Sequence, residues 1–345
     1  MGTKAVEENA ITFLEAIDND NRMLVKEMLD TGIDANIQVK MGFLNLRKTI
    51  LPLEIAIRNE NLEMCKLLLD YDANPNLISQ EFLASLVKKE GVPFISLLLD
   101  RGLDANSKIY DASLNRQQLL LAGIMSKNNE IPESLINKFI DKGFDINYRN
   151  ESTPFVHWSL VLRANTNIFL SFISKCDSSL LNNSMLRRAL SEGAPIENVK
   201  VILEEFQRRG ISDYHKWMEK EFIYSARTGK IEAVRLLLDF KVDINTTDEE
   251  GKSALMWAVI QDRIEVVEEL IKSGISVDLQ DKSAITALMI AARDRKYKIV
   301  RLLLNGGADV HHKDVKNKRA IEYIPEYESL MTFTLLLDAE KGPIS

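Results

Sequence analysis

Disulfides are the first thing this chain excludes. Its 345 residues include only two cysteines, Cys65 and Cys176, too few for a cross-linked framework. Such usage fits a reducing compartment and predicts a cytoplasmic setting, or a host's cytoplasm if the chain is a secreted effector. Long apolar runs are missing as well. No stretch reaches the roughly 18 apolar residues that a spanning helix needs, so membrane insertion is not expected. The opening MGTKAVEENA has no apolar signal core, and Val6 stands where a myristoylated Gly2 would need Ser or Thr. Positive charge is also in deficit. Against 51 acids stand 44 Lys and Arg, and the net charge of −7 disfavours bulk attraction to nucleic acid or anionic lipid.

Histidine is scarce too, which narrows catalysis. The four are His157, His215, His311 and His312, and none is tied in sequence to a nucleophile. There is no Gly-rich phosphate loop, nucleophile elbow or H-E-x-x-H pair. The His311-His312 pair would need metal ligands from elsewhere and reads as plain surface. No enzyme activity, cofactor or metal is expected.

What the chain does have is a period. Leu255 recurs as Leu288, a step of 288−255 = 33, and the same step joins Ala258 to Ala291, Val267 to Val300 and Gly274 to Gly307. One short unit is being stacked, so length is no guide to domain number. Each unit carries two short amphipathic segments that cannot bury both apolar stripes alone. Stacking buries Leu288, Ala291, Val300 and Leu303 against their equivalents. Gly307 is placed to end the second helix in a left-handed conformation.

Ser253-Ala254-Leu255-Met256 and Thr286-Ala287-Leu288-Met289, followed by Val300 to Leu304 and Gly306-Gly307-Ala308-Asp309, resemble the ankyrin repeat. No repeat carries a full T-P-L-H turn. The resemblance implies an all-α solenoid of helix–turn–helix units with connecting β-hairpins, about ten repeats in all. It also implies a non-catalytic role in binding a protein or peptide.

The same frame divides the chain into three stretches. Residues 8–148 hold N-terminal repeats, with an inserted finger at 37–48 and Asp72 where Gly is expected. Repeat three is compressed (102−72 = 30) and repeat four stretched (143−102 = 41). Residues 149–213 look divergent: two helices are expected over 183–212, without the regular repeat geometry. Residues 214–345 are regular and end in a cap, whose first helix Pro325 cuts short. Cys65 takes a Val300-type position and is expected to be a small buried hydrophobe. Trp257 shares the slot of Ile290 and is expected in the core, with Trp158 and Trp217 as further packing residues.

By the resemblance, partners meet the ends of first helices and the hairpin tips, on the concave side. The helix ends are Asp18-Asn19, Arg58-Asn59, Lys88-Lys89, Arg227-Thr228, Ile260-Gln261 and Arg293-Asp294. The tips are Glu249, Glu250 and Lys252, then Lys282 and Ile285. Lys and Arg recur at the helix ends, so either the floor is locally basic and suits an acidic segment, or these are solvated ends that complement the helix dipole. In the 37–48 finger, Met41, Phe43 and Leu44 either act as exposed anchors or fold back on repeats one and two. Asn-, Ile- and Lys-rich usage resembles ankyrin proteins that microbes or viruses direct at host factors. The rival expectation is a small phosphorylated or nucleotide ligand in a basic groove.

Overall fold

The computed structural model describes residues 3–40, 49–111, 116–128, 131–147, 164–324 and 330–341. The chain forms two compact units, Met1–Leu160 and Val161–Ser345.

The first unit is built of short helix pairs. They are α1 (Thr3–Asp18) with α2 (Arg22–Asp30), α3 (Pro52–Arg58) with α4 (Leu62–Asp70), α5 (Gln80–Ser85) with α6 (Val92–Asp100), and α7 (Leu120–Lys127) with α8 (Glu133–Asp141). Local sequence sets their starts. The side chains of Asn21 and Asn61 accept from the amides of Leu24 and Met64, capping α2 and α4. Their apolar faces close a core that includes Phe13, Ala56, Leu68, Ile95 and Phe139, all fully buried. Cys65 lies in it as expected, and burial pushes its thiol up to about 12, far from a reactive thiolate.

Two hairpins account for the added length in this unit. β1 (Val39–Lys40) pairs antiparallel with β2 (Thr49–Ile50) at the base of the 37–48 finger. Met41, Phe43 and Leu44 lie outside the described residues. β3 (Lys108–Asp111) and β4 (Arg116–Leu119) form a second ladder, with Lys108 opposite Leu119. The sequence showed only that repeat four was long. Its strands carry little alternation: Ile109, Leu119 and Gln118 turn inward, but polar neighbours hide the pattern.

The second unit continues with α9 (Thr166–Ile173), α10 (Asn183–Glu192) with α11 (Ile196–Arg208), α12 (Tyr214–Thr228) with α13 (Ile231–Asp239), α14 (Ala254–Ile260) with α15 (Ile264–Lys272), and α16 (Ala287–Arg293) with α17 (Tyr297–Asn305). Ser253 and Thr286, both buried, accept from the amides of Met256 and Met289 and so start α14 and α16. That is the physical content of the S/T-A-L-M motif. Leu255, Ala258, Val267, Leu288, Ala291, Val300 and Leu303 are all buried, as their period required. First helix packs on first helix and second on second. The last repeat replaces its first helix by a 3-10 turn, Ala320–Tyr323, before α18 (Leu330–Lys341). Pro325, assigned that shortening, lies outside the described residues, as does Trp158.

Side chains lock neighbouring repeats together. Asn36, Asn76 and Asn106 each donate to a carbonyl in the next repeat (Asp72, Gly102 and Gly143) at 2.8–3.0 Å. The same three accept from the amides of Asn74, Asp104 and Asp145 at 2.6–2.7 Å. Asn245 and Asp278 accept from Ser276 and Asp309 in the second unit. Asp72 takes the left-handed conformation (φ 63°) that Gly307 holds at φ 88° in the regular repeat.

A second ladder runs along the first-helix C-termini. Lys230, Arg263 and Lys296, spaced one full period apart, reach back to carbonyls that end the preceding first helix. They meet Leu190, Arg227, and Val259 with Ile260, respectively. A cation there satisfies terminal carbonyls and opposes the helix dipole. Lys296 holds two carbonyls at once, at 2.5 and 2.8 Å. Lys296→Met is expected to cost about 1.5–2 kcal/mol, within the range for a charged hydrogen bond. Urea midpoints check this, and an unchanged midpoint would show the carbonyls to be equally content with water.

Candidate functional site

Three hairpin fingers form one edge of the second unit. Each turns on an Asp, at 248, 281 and 314, whose Oδ1 accepts two backbone amides two and four residues on. Backbone bonds then tie finger to finger: the Lys282 amide donates to Glu250 O at 3.1 Å, and the Val315 amide to Ser283 O at 3.1 Å. Lys282 itself is exposed and Ile285 is half-buried. The result is a rigid strip rather than three separate loops.

Beside the first finger lies a cleft of about 810 Å³. One wall is the exposed face of α12, with Lys216, Lys220, Ile223 and Arg227, joined by Arg187 from α10. The other wall is the finger, Thr246 to Glu250. Trp257 forms the floor, and here an expectation is corrected. Its counterpart Ile290 is buried, but Trp257 is half-buried and open to the cleft. Its indole Nε1 donates to Asp248 Oδ2 at 2.7 Å. The Arg227 guanidinium lies 4.6 Å from the ring centroid and the Lys252 ammonium 5.6 Å. An indole that needs an acceptor and attracts cations is better placed at the wet edge than in the core.

Charge on the two walls is sorted. Asp248 is fully occupied by Trp257 and two amides, and these bonds hold its carboxyl below the ordinary value despite burial. Glu250 pairs with Lys252. The α12 wall keeps its cations exposed, apart from a 3.7 Å contact of Lys216 with Asp213.

Behind that wall sits Glu221, buried, one oxygen accepting from Arg187 Nε at 3.0 Å and the other without a hydrogen-bond partner among the described residues. Burial raises its pKa above 4.5, against the pull of Arg187. The folded state therefore holds this proton more tightly than the unfolded state. Its contribution is fully present below the unfolded pKa and is lost as pH rises through the folded one. Glu221→Gln is expected to flatten that loss. The stability gap between wild type and variant, from urea melts between about pH 4 and 8, should move in the variant's favour as pH rises. A constant gap would contradict the assignment.

The structure scatters the remaining sequence candidates. Arg58 and Asn59 are exposed at the end of α3, where Asn59 donates to Asp18 O and Oδ1 at 3.2 and 3.0 Å. Lys88 is exposed beyond α5, and Lys89 opens a 3-10 turn rather than ending a helix. In the second unit Thr228 turns its hydroxyl to Tyr224 O, and Ile260 is half-buried beside exposed Gln261. Arg293 is neutralised by Asp294 at 2.8 Å. Only Arg227, Glu249 and Glu250 of these candidates line the cleft. Arg187, Lys216, Lys220 and Ile223 were not foreseen. For those on α12 the signal was the spacing 216, 220, 223, 227 on a helix longer than its counterparts, which presents a solvent stripe at helical pitch, whereas Arg187 comes from α10.

Other chemistry finds little footing. Among the described residues no three His, Cys, Asp or Glu are grouped to hold a metal. Cys176 is buried with its thiol pushed up to about 11, chiefly by desolvation. No helix among the described residues is long and apolar enough to cross a membrane.

No curated protein matches the chain. The family model "Ankyrin repeats (3 copies)" matches residues 186–281 and 222–314, and the model "Ankyrin repeat" matches 51–80. The first match begins inside the stretch expected to diverge, where α10 and α11 form the helix pair foreseen for 183–212. Stacked helix pairs, Ser/Thr-capped first helices, linked fingers and these matches give one conclusion: the chain carries ankyrin repeats, which are generally protein–protein interaction modules.

Proposed function

We propose that this chain is a non-catalytic adaptor that binds a protein or peptide along its fingers and first-helix ends, on the concave side the family uses. The observation that carries this is the strip of fingers joined by backbone hydrogen bonds next to exposed Lys and Arg. A preformed surface loses little freedom on binding. The exposed cations Arg58, Lys88 and Arg227 favour an acidic segment in the partner. The setting proposed is cytoplasmic, supported by two free, buried cysteines, and Asn-, Ile- and Lys-rich usage favours a host-directed role.

The test is a tagged pull-down, comparing wild type with a variant carrying Arg58, Lys88, Lys89, Arg227 and Arg293 changed to Glu. A partner held by wild type and lost by the folded variant supports the reading. Retention by both removes the helix ends from the surface. Capture by neither turns attention to small phosphorylated ligands, screened by thermal shift.

A further inference from the structure

We propose that the Trp257 cleft takes an extended acidic peptide of polyproline-II form, with two carboxylates three residues apart meeting Lys220 and Arg227. The inference rests on the protein-binding reading above and names the chemistry of one site within it.

Arg227 is held ready. Trp257 is pinned by Asp248, and the Arg227 guanidinium rests over its ring at 4.6 Å. That contact restrains the guanidinium over the indole, and its N–H groups are the part that grips a carboxylate with two parallel bonds. No acceptor among the described residues takes an Arg227 side-chain N–H. Lys220 likewise has no ion-pair partner among them within 4.0 Å. Charged groups left unpaired beside an aromatic floor are what a recognition site requires, whereas the finger's own acids are already engaged: Asp248 by the turn, Glu250 by Lys252.

Spacing then selects the ligand. Lys220 and Arg227 are seven residues apart on α12, a rise of about 10.5 Å at 1.5 Å per residue. In polyproline II, residues three apart share a face and lie about 9.3 Å apart. In a strand they would point to opposite faces. Ile223, between the two cations, and Trp257 give the intervening residues an apolar rest. Two acids oppose this, and they set direction. Glu249 on the finger repels anions from that wall, and Glu219 lies on α12 between Lys216 and Lys220. The peptide's carboxylates are thereby confined to the Lys220–Arg227 line.

The experiment uses fluorescein-labelled peptides and fluorescence anisotropy on the full chain. Glu-Pro-Pro-Glu-Pro-Pro has the proposed spacing. Glu-Glu-Pro-Pro-Pro-Pro has the same charge at the wrong spacing, and Gln-Pro-Pro-Gln-Pro-Pro has none. The first is expected to bind roughly fivefold tighter than the second and at least about tenfold tighter than the third. Lys220→Gln and Arg227→Gln should each weaken it about tenfold, Arg227→Lys less, and Glu249→Gln should tighten it about twofold. Circular dichroism and thermal midpoints confirm that these exposed-site variants stay folded. Equal binding of the two acidic peptides, an indifferent Lys220→Gln, or no binding at all overturns the inference. If no peptide binds but the lysate partner is lost on reversing Arg58, Lys88 and Lys89 alone, only this inference falls. If the partner also survives all five reversals, the broader reading falls with it.

Discussion

Phe206→Ala is expected to remove about 3–5 kcal/mol from the stability of the second unit. Phe206 is fully buried on α11. Its ring meets Trp217 edge-on at 5.5 Å and Tyr214 at 6.4 Å, both near the start of α12. Truncation removes the buried ring, leaves a cavity, and forfeits aromatic contacts worth about 0.5–1.5 kcal/mol beyond burial. Whole domains have only about 5–15 kcal/mol to lose, and in a repeat array each interface is a large share of its neighbours' stability. Urea unfolding followed by tryptophan fluorescence reads the loss, since Trp217 is a direct reporter. Hydrogen exchange should show α11 and the first turns of α12 opening before α16 and α17. A loss under about 1 kcal/mol would mean that the aromatic cluster repacks, and it would sink the claim that Phe206 anchors α12. The consequence reaches function, because α12 carries Lys220 and Arg227. Peptide affinity should therefore drop even at temperatures where the variant remains mostly folded.

The fold was legible because its signal is redundant. A position such as Leu288 is seen again at Leu255, and each instance corroborates the other, so the period survives the loss of T-P-L-H turns. The Ser253 and Thr286 caps, the buried Ala258 and Ala291, and the left-handed Gly307 all follow from local chemistry that returns with every period. Even where the consensus fails, the geometry holds. Asp72 adopts the left-handed turn of the missing glycine, a conformation Asp tolerates better than most residues. What the period could not supply was anything unique to one repeat. The β3–β4 hairpin occurs once, and its inward residues alternate too weakly to announce a strand.

The candidate site was legible only in part, for a related reason. Register says which residue occupies a slot, not whether that slot is open. Trp257 shares a slot with Ile290, yet Asp248 and two cations draw its indole to the surface, and nothing in the spacing distinguishes the two. Likewise, counting Lys and Arg at helix ends treated Arg227 and Arg293 as equals. Arg293 commits its charge to adjacent Asp294, whereas Arg227 stacks on an aromatic face. Lys230, Arg263 and Lys296 look like surface charge in the sequence but act as inter-repeat caps. Partnership, rather than residue type, decides which cations remain for a ligand.

Repeat three, compressed overall, holds the second large effect, at Gly91. The step from Asp72 to Gly102 falls three short of the period, so the chain must shorten somewhere. It shortens before the first helix, where Asp72 to Gln80 is 80−72 = 8 against 287−274 = 13 from Gly274 to Ala287, while the link between the helices is longer, 92−85 = 7 against 297−293 = 4. α5 is only six residues long, Leu86 ends it, and a 3-10 turn over Lys89–Gly91 leads straight into α6 at Val92. The turn between the helices folds Gly91 onto the backbone of Leu86: a Cβ there would lie 2.2 Å from Leu86 O and 2.7 Å from its Cα. Backbone cannot rotate aside as a side chain can. Gly91→Ala is therefore expected to cost about 3 kcal/mol, the upper part of the overpacking range. Gly32→Ala makes a sharp comparison. Gly32 has the left-handed φ of 98° with open space around it, whereas Gly91 has an ordinary φ of −82°. Backbone conformation alone ranks Gly32 as the costlier site, at about 1–2 kcal/mol. The close approach at Leu86 reverses the order. Thermal melts of the two single variants decide it, and a Gly91→Ala midpoint at or above that of Gly32→Ala would show that the turn can widen to admit a Cβ.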